Sequence, residues 1–462
     1  MPLLAAAIPP ITVARAVCRY GVNVPFADQW QFVPLLIDAV DGRLRWSALW
    51  AQHNEHRIVL PRLVMLALAR PSRWDVRWEM AMSMVIGVIA VAVVAALVYR
   101  TVGLLAPSAV PWLVVMTSTL CFSLSAWEAW IWGWQVQILM VVLAASLAAW
   151  LVAGWDGGWF RLALLVCVAL YGVLSFGSGL VLLALLVPAA WFASDRQSPP
   201  ARIGRAGVAF AVVVAVAALY SRGFSYPEQH PSPLFVVAHP VDYAVYVLAY
   251  MGAGLAAGSV RTAAAWGLAG LATFIPVSAS LWWRSPIYRR AMLPWAFLAG
   301  FAVMSGAVTG LGRAGIGISQ AMSARYISIS ALFWVSLSVA LTLAFFDSPA
   351  TTNRRAAHTT IAMVLVIAVH GYLRSWDAGR AAMRAHRRAL ERGRACVLDS
   401  AHASDRCLRT LFAPEWVRSG AIALEHHRLG PFANPMTAAV DGRHKTGRAA
   451  GDAASGGRRV TH

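Results

Sequence analysis

Charge is what this 462-residue chain has least of. Asp, Glu, Lys and Arg make up 13% of it, against about 25% in a soluble globular protein. With 59% hydrophobic residues and a mean hydropathy of +0.62, that scarcity excludes a soluble domain with a large core and points to an integral membrane protein. Lysine is all but missing, Lys445 being the only one, and the arginine bias reflects codon composition. Acids are outnumbered too, 20 against 39 basic residues, for a net charge of +19. In a soluble chain that balance would suggest nucleic acid. Here the arginines fall in short loops between apolar runs and in the C-terminal tail, where membrane topology puts them, so nucleic acid is excluded as a partner. Of five cysteines, Cys18, Cys121 and Cys167 sit in apolar segments as small buried hydrophobes. Cys396 and Cys407 in the polar tail lack the second pair that a zinc site needs, so a disulfide on the oxidising side of the membrane is expected. The first 18 residues have neither a basic start nor a small-residue cleavage site, which favours an uncleaved, rather short first span over a signal peptide.

What the chain does have is a series of apolar runs near the 20 residues that a bilayer crossing requires. They predict an all-α polytopic transmembrane protein of about 11 spans, near 3–19, 79–99, 104–126, 131–153, 161–176, 178–194, 206–221, 263–283, 292–311, 326–346 and 358–374. The FGSG break at 176–179 would join two short helices, and 58–70, with Pro61 and Arg62, suits a helix lying in the interface. Arg100, Arg161, Arg196, Arg202, Arg205, Arg284, Arg289, Arg290, Arg354 and Arg355 form one consistent cytoplasmic set. That orientation puts the N-terminus in the cytoplasm and the C-terminus outside, provided that 242–258 is re-entrant or interfacial. The expected domains are a transmembrane domain 1–375 with an extracytoplasmic loop 20–78, a small extracytoplasmic tail domain 376–432, and a disordered tail 433–462.

The polar groups gather in a few places, and unpaired charges cannot lie in hydrocarbon, so these stretches must meet water or a wet cavity. HNEHR, residues 53–57, is the densest. On a helix His53, His56 and Arg57 would share one face, letting Arg57 hold a phosphate while a histidine donates to it, and Asn54 adds a further polar group. Two histidines three apart also suit a metal pair, but no third ligand at a diagnostic spacing accompanies them, so a divalent metal is unsupported and no cofactor is expected. Glu55 would point elsewhere and pair with a loop arginine. The plainer alternative is an ion-pair cluster that anchors the 58–70 helix.

WEAWIWGWQVQ, 127–137, places Glu128 at a turn between spans, with tryptophans that read as an interfacial belt. GLGRAGIGISQAMSARY, 310–326, lets backbone approach a ligand through its glycines, flanks that approach with Arg313 and Arg325, and ends on Tyr326. This predicts a phosphate or pyrophosphate clamp, the alternative being a tight turn with snorkelling arginines. The spacing is no dinucleotide fingerprint, since no strand and acidic partner surround it. RGFSYPEQHPSP, 222–233, is a stiff loop that specifies no substrate.

PFADQW, HNEHRIVLPRL, WEAWIWGWQVQ and GRAGIGISQAMSARY, in that order over roughly 20–330, together resemble a family of bacterial polytopic membrane proteins. Asp28, an acid just after the first span in a long outer loop, resembles the loop acid of the GT-C class of membrane glycosyltransferases. The resemblance implies a GT-C-like fold and transfer from a polyprenyl-phosphate-linked sugar donor to an envelope glycan, lipid or protein acceptor within a membrane-lipid setting. It implies Asp28 as the base that takes the acceptor proton and Glu128 as a second acid. Relatives often carry two adjacent acids where this chain has Asp28 and Gln29, which weakens any paired-carboxylate or metal-bridging scheme. The plain reading of Asp28 is a helix cap or a surface acid beside the membrane. A transporter or flippase for an anionic solute or lipid-linked sugar is the rival function, and the absence of a visible internal repeat weighs against it.

Overall fold

The computed structural model describes residues 2–193, 198–228, 230–347 and 354–433. Among them the chain is helical with no strand, as the apolar runs predict. Seven described helices are long and apolar enough to cross a membrane: Arg77–Val102, Pro107–Ile131, Gly133–Val152, Pro199–Ser221, Val260–Arg284, Pro286–Ile316 and Ala324–Phe346. Two shorter apolar helices, Trp159–Val173 and Gly179–Phe192, flank the FGSG break. The two remaining expected spans look different. At 3–19 the chain divides into Pro2–Ala5 and Ile8–Tyr20, and a 13-residue helix rises only about 20 Å, short of a hydrocarbon core of about 30 Å. The span at 358–374 falls within the helix Arg354–Leu398, where side chains up to 368 lie outside the described residues. Arg196 and the tail 434–462 lie outside them too.

The chain forms two compact units. The first comprises the segments up to Gly21, Arg45–Met65 and Glu79–Arg387; the second comprises Val22–Leu44, Leu66–Trp78 and the chain from Arg388. The tail expected at 376–432 is therefore joined by two pieces of the first loop, and the boundary near 375 moves to about Arg388.

In the first unit the helix Gly133–Val152 is the centre. It is apolar on every face, and 78% of its most hydropathic window is buried, which is the pattern of a helix surrounded by others. Pro199–Ser221 is as hydropathic, yet only 17% of its window is buried. Apolar surface on that scale requires lipid rather than water around it. Prolines at the first helical turn start Pro199–Ser221, Pro240–Gly252 and Pro286–Arg313, where the missing N–H is no loss. The helix Pro240–Gly252 has 13 residues and leads through Ala253–Leu255 into Val260–Arg284. The two lie backbone against backbone, because a Cβ at Gly252 would strike the Ala263 carbonyl and one at Gly267 the Leu248 carbonyl. Small residues permit such close approach between apolar helices.

The second unit packs Gln29–Val40 against Pro414–His426, with Gly420 seated on the Trp30 ring. Asn23 donates to the Gly430 carbonyl at 3.2 Å, Gly430 N to Arg73 O at 2.8 Å, and His427 lies 3.1 Å from Asp41. Cys396 and Cys407 are joined in a disulfide.

Candidate functional site

The site in the first unit is built on the HNEHR segment, and its local structure is a tight turn, not a helix. His53 N donates to His56 O at 2.8 Å and His56 N to His53 O at 2.9 Å. Asn54 takes a φ of +48°, a left-handed conformation that Asn tolerates better than most residues. The expected shared helical face of His53, His56 and Arg57 is thereby overturned. Arg57 is also not placed to hold a phosphate. Its Nε donates to Tyr220 O at 2.9 Å, Nη1 to Trp50 O at 2.9 Å and Nη2 to Arg222 O at 2.6 Å. The guanidinium lies over the Trp50 ring and the residue is 3% exposed. Each nitrogen is spent on a backbone carbonyl, so Arg57 ties the loop down. Arg62 does the same, its Nη1 donating to Leu49 O at 2.8 Å.

With the loop so fixed, Glu55 projects from the turn to the end of Pro286–Arg313. Arg313 donates to its Oε1 from Nη2 at 2.7 Å and from Nε at 3.2 Å, joining positions 258 apart in the chain. His230 Nδ1 stands 3.7 Å from Glu55 Oε2 and His56 Nε2 3.6 Å from Oε1. Burial pushes the Glu55 carboxyl up. The charges of His56 and Arg313, with the hydrogen bond from Arg313, outweigh burial and hold it at about 2. The His56 ring lies 4.2 Å from that of Phe176, and a Cβ at Gly177 would collide with its Nδ1. The FGSG break thus supplies the bare backbone against which His56 packs.

A second acid and arginine meet nearby. Arg325 N donates to Glu128 Oε2 at 3.1 Å, while the Arg325 guanidinium stops 4.0 Å from the same oxygen, beyond hydrogen-bonding distance. It lies between the rings of Trp132, at 5.8 Å, and Tyr326, at 5.2 Å, and Tyr326 stacks on Tyr250. His53 meets Trp134 edge-on at 4.9 Å, and Asn54 Nδ2 lies 3.3 Å from His53 Nε2. Arg313 and Arg325 feel each other's charge, and both act on His56. His53, Asn54, Glu55, His56, Glu128, Arg313, Arg325 and Tyr326 therefore form one cluster in the first unit. Asp28 belongs to the second unit, with Cys396 and Cys407. Among the described residues no group of three or more His, Cys, Asp or Glu is arranged to hold a metal ion.

The chain is similar to a solved structure of ArnT from Cupriavidus metallidurans bound to undecaprenyl phosphate, at a TM-score of 0.43 and 12% identity over 90% of this chain and 76% of that one. No protein-family model matches the chain, and no curated protein matches it significantly. A likeness of that extent carries no weight in assigning an activity, which has to come from this chain's own residues.

The sequence shows His230 only as one polar group of the 222–233 loop, and Tyr246 and Tyr250 only as tyrosines of the 242–258 segment, so none of the three is an expected site residue. The last two were visible as tyrosines at 243, 246 and 250, a helical i, i+3, i+7 row in an otherwise apolar segment.

The Glu55–Arg313 pair makes a stability prediction. With side chains 26% and 14% exposed, the pair lies between a surface pair, worth about 0–1 kcal/mol, and a buried one, whose breakage costs about 3–5 kcal/mol. Glu55→Gln should cost about 2 kcal/mol by leaving Arg313 without its counter-charge. Adding Arg313→Gln should recover part of that loss. Additive losses in a double-mutant cycle, read by thermal unfolding in detergent, would show that the pair is not coupled.

Proposed function

We propose that this chain is a GT-C-like membrane glycosyltransferase. It moves a sugar from a polyprenyl-phosphate-linked donor to a cell-envelope glycan, lipid or protein acceptor at the outer face of the bacterial inner membrane. The observation that carries this reading is the convergence of two acids and two arginines, far apart in the chain, at the ends of apolar helices. Departure of a lipid phosphate leaves developing negative charge, and preorganised cations lower that barrier. Arg325, whose guanidinium is not spent on a carboxylate at hydrogen-bonding distance, is the phosphate holder of choice, since its planar fork matches phosphate oxygens. Arg313, oriented by Glu55, adds the second cation. Asp28 is assigned the role of base from its motif, and Glu128 that of second acid. Donor specificity is assigned to the loop that carries His53, Asn54 and His56.

The test is transfer of labelled sugar from polyprenyl-phosphate donors in proteoliposomes, alongside profiling of lipid-linked and envelope glycans in a deletion strain. Arg325→Lys, which keeps the charge and loses the fork, should lower transfer about tenfold. Movement of the lipid-linked sugar across the bilayer with no glycosidic bond formed would replace this reading by the transporter alternative.

A further inference from the structure

Three tyrosines of Pro240–Gly252 pack against the helix Pro286–Arg313, and among the described residues only one of their hydroxyls has a hydrogen-bond partner. Tyr243 Oη donates to Ala307 O at 3.0 Å. Tyr246 and Tyr250 are wholly buried, each at 0% exposure, and their hydroxyls have no hydrogen-bond partner among the described residues. A buried hydroxyl left without a partner is costly and uncommon in native proteins, so two in one row call for an explanation. Loose packing is not that explanation. A Cβ at Gly306 would come within 2.9 Å of the Tyr250 ring, and one at Gly310 within 2.8 Å of Tyr243 and 3.1 Å of Tyr246. The rings are thus seated on bare backbone at two glycines one turn apart, and their positions are set by the helix itself. Nor do the hydroxyls face a purely apolar core. Tyr250 stacks on Tyr326 at 5.2 Å, the ring over which the Arg325 guanidinium lies at 5.2 Å, and Tyr246 meets Gly310, one turn before Arg313 on the same helix.

Neutral phenols can donate, and beside cations the group that best accepts from them is an anionic oxygen. We infer that Tyr246 and Tyr250 are ligand-binding residues whose hydroxyls donate to the phosphate oxygens of the ligand that Arg325 and Arg313 hold. This rests on the phosphate reading of the cluster and adds to it a helix that the motifs did not include. It also gives the small residues at 306 and 310 a task beyond helix packing. Gly310 seats Tyr246 one turn before Arg313 on the same helix, and Gly306 seats Tyr250, whose ring stacks on Tyr326.

Tyr246→Phe with Tyr250→Phe removes two oxygens and leaves the rings in place, so folding and binding should respond with opposite signs. Without ligand the double variant should melt at the same or a higher temperature, because two unpartnered buried hydroxyls are gone. Its affinity for a polyprenyl phosphate in detergent should fall at least tenfold, since hydrogen bonds to charged groups are among the stronger ones. The probes are a polyprenyl phosphate, the matching polyprenol without phosphate, and inorganic phosphate. Wild-type binding of the lipid phosphate but not of the polyprenol, weakened in the double variant, supports the inference together with the lipid donor. Binding of inorganic phosphate alone, weakened likewise, supports the tyrosine assignment and overturns the lipid donor. Equal affinity of wild type and double variant for whichever phosphate binds overturns the assignment and leaves the glycosyltransferase reading standing. A wild type that binds no phosphate probe overturns both.

Discussion

Asp28→Asn is expected to abolish sugar transfer, by about 10²–10⁴-fold, while the protein still inserts and folds. That is the range by which a positioned general base accelerates proton transfer, and Asn keeps the shape of the side chain without its basicity. The competing assignment for Asp28 is a helix cap, and the structure speaks to it. Asp28 stands at the N-cap position of Gln29–Val40, with φ −58° and ψ −17°, and its side chain makes no capping hydrogen bond. Two other groups also hold the turn. Phe26 N donates to Gln29 Oε1 at 3.1 Å, with Gln29 1% exposed, and Ala27, at φ +48°, donates its N–H to Leu411 O at 2.8 Å. Gln29 is therefore a structural residue here. The unfolding temperature in detergent and the Cys396–Cys407 disulfide are measured alongside transfer. Full transfer by the variant would remove Asp28 as base. Loss of transfer together with a fall in stability would make it structural. Glu128→Gln serves as the companion variant, and if it alone abolished transfer the base would be Glu128.

The helices were legible because crossing a bilayer imposes length and apolarity on a continuous stretch, and both can be counted. The two short helices on either side of FGSG and the apolar run of Ile327–Asp347 follow from that count almost residue for residue. What could not be read is decided by partners distant in the chain. Arg57 looks like a phosphate ligand in HNEHR, but Tyr220 and Arg222, more than 160 positions away, claim its donors through their backbone carbonyls, which no side-chain motif reports. The turn at 53–56 was hidden for a local reason. A spacing of three and four suits a helix face equally well, and only the left-handed backbone at Asn54 breaks that pattern. Glu55 shows the reverse. A charge in an apolar chain needs a counter-charge, so an arginine partner was foreseeable, although which arginine was not. The same limit applies to the two units. The first loop and the tail are separated by most of the sequence, and only tertiary contacts show that Val22–Leu44 and 388–433 fold together.

Acidification supplies the second large effect, through His56. Burial lowers the pKa of this imidazole to about 4 from its ordinary 6.5; the Glu55 carboxylate opposes the shift, and Arg313, His53 and Arg325 reinforce it. The folded protein therefore keeps His56 neutral at pH values where the unfolded chain would already have taken up a proton. Between pH 6.5 and about 4 the unfolded state binds more protons, so stability falls as pH falls. The contribution is fully present above 6.5 and lost by about 4, and at 1.36 kcal/mol per pKa unit it amounts to about 3 kcal/mol. Glu55 follows in a lower window, from its ordinary 4.5 down to about 2, because its folded-state pKa is depressed as well. The two groups are coupled, because each charge acts on the pKa of the other. His56→Gln should flatten the unfolding-temperature profile between pH 6.5 and 4 and also shrink the decline below 4.5, since Glu55 then loses one of the positive charges that depress its pKa. A wild-type profile that is flat from pH 7 to 4 would mean that His56 is solvated, or moves to be protonated without unfolding. In either case Gly177 and Phe176 would not be the closed wall around it that the structure shows.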